Sequence, residues 1–179
     1  FSNADTALTI SSSTVNGPGT LTNALGRTLT LENAVVNAPL VNNGTLIARS
    51  SGNTIGTSFT TGPGSILRVQ GQSGFSFGTL TITPSFTNNG TIELTSVVNG
   101  SDSNANATLN VTGTLANAPG RTIDALQGLG GARFLNASLD NQGTLNVSSS
   151  SGLAINKPSA VHTSSGTINV AAGNLTVSQ

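Results

Sequence analysis

Asn42-Asn43-Gly44-Thr45-Leu46 returns as Asn88-Asn89-Gly90-Thr91-Ile92, as Asn141-Gln142-Gly143-Thr144-Leu145 and as Ser164-Ser165-Gly166-Thr167-Ile168. Each copy reads as a turn followed by a strand. Asn, Ser and Gly tolerate left-handed backbone angles, and the residues after them are apolar at every second position: Leu46/Ala48, Ile92/Leu94, Leu145/Val147 and Ile168/Val170. The same alternation stands at Leu29/Leu31, Leu67/Val69, Leu80/Ile82, Leu109/Val111 and Leu175/Val177. These spacings divide the chain into coils of roughly 20–30 residues, the length of β-solenoid repeats. One coil has a single apolar face and cannot bury it alone. Stacked coils pair their strands at ~4.8 Å and form columns of Leu, Ile, Val and Ala. Asn42/Asn43 and Asn88/Asn89 are then expected to stack as an amide ladder.

A longer repeat encloses the short one. Gly19-Thr20-Leu21-Thr22-Asn23-Ala24-Leu25-Gly26-Arg27-Thr28-Leu29 matches Gly113-Thr114-Leu115-Ala116-Asn117-Ala118-Pro119-Gly120-Arg121-Thr122-Ile123 at a shift of 94 (113 − 19). The shift is 99 for Gly44 against Gly143, and 100 for Ser50-Ser51-Gly52 against Ser150-Ser151-Gly152. Insertions fall in loops, so Gln127-Gly128-Leu129-Gly130-Gly131 is the expected place for the five extra residues. The repeat spans about 19–69 and 113–170. No helical periodicity is sustained; residues 33–40 come nearest, and Pro39 ends them. Ser2-Asn3-Ala4 resembles the scar of a cleaved tag, so residues 1–4 are set aside and 5–179 are expected to form one solenoid domain.

Composition supports an ordered all-β chain. Charged residues make up 7% against the roughly 25% of average domains, and aromatics 3%, yet 35% of the chain is hydrophobic and spaced with period two. Six acids balance six bases, which leaves no electrostatic footprint for nucleic acid or an anionic membrane surface. No apolar run approaches the ~18–20 residues that span a bilayer, so no membrane insertion of this segment is expected. The chain has no Cys. With this composition, that suits an exported bacterial protein that stays unfolded in an oxidising periplasm.

In Asn-Asn-Gly-Thr-Leu/Ile and Gly-Thr-Leu-x-Asn-Ala-x-Gly-Arg-Thr-Leu/Ile the chain resembles the right-handed parallel β-helix repeats of large bacterial secreted adhesins, such as filamentous haemagglutinins and autotransporter passenger domains. The resemblance covers nearly all of residues 15–179. It implies an export-competent shaft at the cell surface or in the extracellular space, with a host or bacterial cell-surface glycan or protein as partner. It brings no catalytic residues and no cofactor. Coil lengths are less regular than in a haemagglutinin repeat, so a β-sandwich is the alternative fold, and a carbohydrate-binding or carbohydrate-active β-helix the alternative function.

No constellation of reactive residues points to an enzyme. Glycoside hydrolysis needs two carboxylates roughly 5–10 Å apart. Of Asp5, Glu32, Glu93, Asp102, Asp124 and Asp140, only Asp124 and Asp140 are candidates for neighbouring coils, and they read as solvated. Arg27 and Arg121 share one slot of the long repeat, each stem lying along the surface. His162 has no second His and no Cys beside it, and reads as a solvated loop residue. Ser101-Asp102-Ser103-Asn104 carries one carboxylate and reads as an exposed loop rather than a calcium site. Phe59, Phe75, Phe77, Phe86 and Phe134 read as core or end-cap residues rather than a sugar platform, and Thr79-Leu80-Thr81-Ile82-Thr83 as a weak candidate for a flat Thr face. Sequons at Asn43, Asn89, Asn99, Asn106, Asn110, Asn136, Asn146 and Asn174 follow from an Asn/Thr/Ser-rich composition. A pattern broken at both ends predicts exposed strand edges and end-to-end association.

Overall fold

The computed structural model describes residues 1–72, 77–97 and 105–179. Among them no helix occurs, and every strand pairing is parallel, so the chain is a β-solenoid and not a sandwich. The first sheet stacks eight strands in chain order: Leu8–Ser11, Thr28–Glu32, Thr45–Arg49, Ile66–Gly71, Thr91–Ser96, Thr122–Ala125, Thr144–Val147 and Thr167–Val170. A second sheet runs beside it through Thr14–Val15, Val35–Val36, Asn53–Ile55, Gly78–Ile82, Ala107–Asn117, Arg133–Asn141, Leu153–Asn156 and Leu175–Ser178. The third face carries Leu21–Asn23, Leu40–Asn42 and Phe59–Thr61, then Phe86–Asn88, the far halves of the two long second-sheet strands, and Thr163–Ser164. Seven spacings of ~4.8 Å separate the eight first-sheet strands, an axial length of roughly 34 Å.

The phrase quoted at the outset starts a first-sheet strand each time it occurs. Leu8, Leu29, Leu46, Leu67, Ile92, Ile123, Leu145 and Ile168 lie in register as one column. The steps between them are 21, 17, 21, 25, 31, 22 and 23 residues, so coil length varies slightly beyond the predicted range. Thr45, Thr91 and Thr144 lie on the outward side of this sheet, partly exposed, while Leu46, Ile92 and Leu145 are fully buried.

The long repeat corresponds to four coils. Leu29 and Ile123 are the second and sixth members of that column, and Leu46 and Leu145 the third and seventh. The extra residues lie where the sequence predicted them. From Leu29 to Leu40 on the third face is eleven residues, whereas from Ile123 to the equivalent Leu139 is sixteen; the loop at 126–132 gains seven, since Leu29 to Ala34 is five and Ile123 to Leu135 twelve, and the next corner is two shorter.

The Gly of the phrase is required for a different reason from the one the sequence suggested. Left-handed angles occur at Gly26, Gly64 and Gly120, but Gly44 and Gly143 are not among them. A Cβ on Gly44 would meet the Ala24 and Arg27 carbonyls of the coil beneath, and one on Gly143 the Ala118 and Arg121 carbonyls. These Gly residues allow two coils to approach at a corner.

The amide ladder exists and lies inside the solenoid. The first Asn of the phrase points inward: Asn42, Asn88 and Asn141 are fully buried, as are Asn23 and Asn117 of the longer repeat. Asn3 Nδ2 donates to Asn23 Oδ1 at 2.8 Å and Asn23 Nδ2 to Asn42 Oδ1 at 2.6 Å, so Asn3, within the four residues set aside above, is a rung. Beyond a break at Thr61, the ladder resumes from Asn88 to Asn117 at 2.9 Å and from Asn117 to Asn141 at 2.8 Å, ending on Ser164 Oγ at 3.1 Å. The second residue of the phrase, Asn43 or Asn89, faces outward and is only half-buried. At the Thr61 break, Phe59 and Phe86 pack edge to face with centroids 5.1 Å apart.

Candidate functional site

Charged side chains are spread along the outer surface, and most are matched. On the first sheet Glu32 pairs with Arg49 on the next strand, and Arg68 Nε donates to Glu93 Oε2 at 2.6 Å. Asp124 and Asp140 do not meet. Asp124 is on the first sheet and Asp140 on the third face, where its carboxylate accepts from Gln142 and Thr163. The acid beside Asp124 is Glu93, its register partner on the preceding strand, 31 residues earlier. Burial raises the Asp124 carboxyl above its usual range; a hydrogen bond from Asn146 at 2.8 Å opposes the rise and the Glu93 charge adds to it. Among the described residues no group of three or more His, Cys, Asp and Glu is arranged to hold a metal ion.

Arg27 and Arg121 do occupy one structural slot. Each closes a turn by donating its backbone N–H to Ala24 or Ala118 at 3.0 Å, and its carbonyl accepts from Thr45 or Thr144 at 2.8 Å. His162 is not solvated: it is half-buried, and its Nδ1 accepts the Leu139 N–H at 3.2 Å. Asp102, Phe75 and the Asn99 sequon lie outside the described residues.

Arg133 is a residue that the alternation hid. It occupies a core column of the second sheet, with Gly78 and Ala107 before it in register and Leu153 after, and is 1% exposed. Among the described residues no carboxylate meets it. Its guanidinium donates to the carbonyls of Leu126, Gln127, Gly130 and Gly131 at 2.8–3.1 Å, so the lengthened loop wraps it. Burial lowers its pKa to about 10, which leaves it charged at neutral pH. The small side chains beneath it in the column, Gly78 and Ala107, leave room for it. The signal in the sequence was an Arg on the inward parity of a strand, directly after a Gly-rich loop.

The phenylalanines divide into two groups. Phe59 and Phe86 are core, as expected, but Phe77 is exposed and Phe134 lies on the outer face of the second sheet. There Phe134 and Asn136 line a groove of about 500 Å³ together with Asn110, Thr112, Asn156 and Lys157. The groove originates in an irregularity of the strand Ala107–Asn117. Asn110 pairs with Asn136 and Thr114 with Ser138, so 111–113 bulge out opposite the single residue Ala137. Lys157 fastens the opposite wall by donating its ammonium hydrogens to the Val111, Thr112 and Gly113 carbonyls, two coils away. Along the floor Asn136 Nδ2 donates to Asn110 Oδ1 at 2.7 Å, and Asn110 Nδ2 to Thr81 Oγ1 at 3.3 Å.

Fold and surface together define a parallel β-solenoid with a polar, nearly uncharged exterior and, over the second sheet, a groove lined by Phe134. Comparisons with protein-family models, with curated proteins and with solved structures found no match.

Proposed function

We propose that the chain is a non-enzymatic, adhesin-like β-helical shaft segment of an exported bacterial surface protein, outside the cell or on its surface, with a host or bacterial cell-surface glycan or protein as partner. The observation that carries this reading is the continuity of the interior. Leu, Ile, Val and Ala columns run through successive coils beside an amide ladder in two segments, so bending the rod breaks contacts in several columns together. Uncharged Thr, Asn and Ser surfaces support weak contacts repeated along its length. The absence of Cys suits export through an oxidising compartment.

Beads coated with the purified chain test the reading against epithelial and bacterial cells, with a Cys-free protein of similar size and charge as control. Adhesion above control that free chain competes away is the expected result; adhesion equal to control discards the reading. The alternative, a carbohydrate-active domain, draws on the adjacency of Glu93 and Asp124. Against it, Glu93 is engaged by Arg68 and Asp124 by Asn146. Release of reducing ends from a polysaccharide panel, abolished by Asp124→Asn, is the result that favours the enzyme.

A further inference from the structure

We infer that the groove over Phe134 is a binding site for a neutral glycan. One sugar ring stacks on the Phe134 face, and its hydroxyls bond to Asn136 and Asn156. The inference rests on the adhesive reading and names the ligand class and the place where it binds.

The ring is available. On its own sheet Phe134 is flanked in register by Thr108 and Ala154, whose short side chains do not cover it. It remains partly exposed because its position has outward parity between the buried Arg133 and Leu135. An aromatic face offers a flat apolar surface to the C–H groups of a sugar, the chemistry by which amphipathic ligands are held at an exposed site.

The polar groups are also available. Asn110 and Asn136 are register partners, and Asn156 directly follows Ile155, the partner of Leu135, so the three amides lie on three successive strands at the ~4.8 Å strand spacing. Asn136 spends its Nδ2 on Asn110 and leaves its Oδ1 free to accept. The Asn156 amide has no partner among the hydrogen bonds of the described residues and keeps both its donors and its acceptor. Adjacent donors and acceptors at this spacing suit the vicinal hydroxyls of a sugar.

Charge selects the class. Among the described residues Lys157 is the one ionised group that lines the groove, and its three donors are directed at the carbonyls of Val111, Thr112 and Gly113, so it offers none to a carboxylate or sulfate. The same strut ties the two walls together across an intervening coil, which sets the groove shape before a ligand arrives. Its volume, about 500 Å³, lies within the roughly 300–1,000 Å³ of small-ligand sites.

The test is binding of the 179-residue chain to neutral, sialylated and sulfated oligosaccharides on an array, followed by titration of neutral hits with wild type, Phe134→Ala and Asn156→Ala. The expected result is binding to neutral glycans, weakened at least tenfold by Phe134→Ala and roughly fivefold by Asn156→Ala. Asn156 supports no other side chain, so its variant reads the site even where Phe134→Ala unfolds. Neutral-glycan binding unchanged by Asn156→Ala and by a folded Phe134→Ala, or a preference for acidic glycans, overturns the site. Cell adhesion without glycan binding overturns the site while the adhesive reading stands on a protein target. Glycan binding at the groove without cell adhesion supports the site and removes the adhesive reading.

Discussion

Replacing Asn117 by Ala removes the middle rung of the longer ladder segment, and its cost follows from the bonds it makes. Asn117 Oδ1 accepts from Asn88 at 2.9 Å, and its Nδ2 donates to Asn141 Oδ1 at 2.8 Å, to the Thr144 carbonyl at 3.2 Å and to the Arg121 carbonyl at 3.3 Å. Two short bonds at about 1 kcal/mol each, plus about 1–2 kcal/mol for the Asn141 oxygen left buried without a donor, give roughly 3–4 kcal/mol. Asn88 Nδ2 keeps a second bond, to the Thr122 carbonyl at 3.1 Å, which limits the loss on that side. The control is Asn89→Ala: that side chain makes one exposed bond of 3.4 Å, and its removal costs less than about 0.5 kcal/mol. Urea unfolding at 25 °C, followed by far-UV circular dichroism and extrapolated to water, reads both. Equal losses for Asn117→Ala and Asn89→Ala refute the assignment of the ladder to the interior.

Other expectations concern the insertion, the acids and the ends. Arg133→Met leaves the carbonyls of Leu126, Gln127, Gly130 and Gly131 without their donor and costs roughly 2–4 kcal/mol, with amide-exchange protection lost first at 126–132; uniform loss along the chain contradicts a local wrap. Because the Asp124 carboxyl is raised by burial, the folded state holds its proton more tightly than the unfolded state does. Stability from this group therefore falls as pH rises through the folded value. Asp124→Asn is accordingly expected to raise the thermal midpoint at pH 7, and the gain to vanish below the unfolded carboxylate range; a gain that persists there contradicts the desolvation argument. Ile168 and Val170 stand in core columns of the last coil yet are 46% and 49% exposed, and at the opposite end Leu8, Ile10, Val15 and Leu21 line an apolar hollow of about 370 Å³. Concentration-dependent association by sedimentation velocity, suppressed by Ile168→Lys with Val170→Lys, is expected, and a monomer at all concentrations discards it.

What the sequence revealed and what it hid divide along one line. Periodic features were legible. Leu46/Ala48 and its counterparts are core columns because a strand alternates its faces, and Gln127–Gly131 took the insertion because only a loop absorbs extra residues without breaking register. Lateral neighbours were not legible. Glu93 and Asp124 are 31 residues apart and adjacent in space, while Asp124 and Asp140 are 16 apart and on different faces, since coil length decides which residues meet. Arg133 and Phe134 were hidden because composition suggests the opposite parity. An Arg is expected outside and a Phe inside, and here the carbonyl-lined loop stabilises the exchange. The ladder itself was expected, but which Asn of each pair pointed inward depended on the corner that Gly44 and Gly143 allow.

Distances between spin labels test the stacked solenoid most directly, because the chain has no Cys and introduced pairs are unique. Thr28, Thr122 and Thr167 begin the second, sixth and eighth first-sheet strands in one outward column. Double electron–electron resonance on Thr28→Cys with Thr122→Cys, and on Thr28→Cys with Thr167→Cys, is predicted to give backbone separations of roughly 19 and 29 Å, four and six strand spacings. Separations that fail to grow with the number of intervening coils, or two that are equal, contradict the parallel stack on which the shaft and its groove depend.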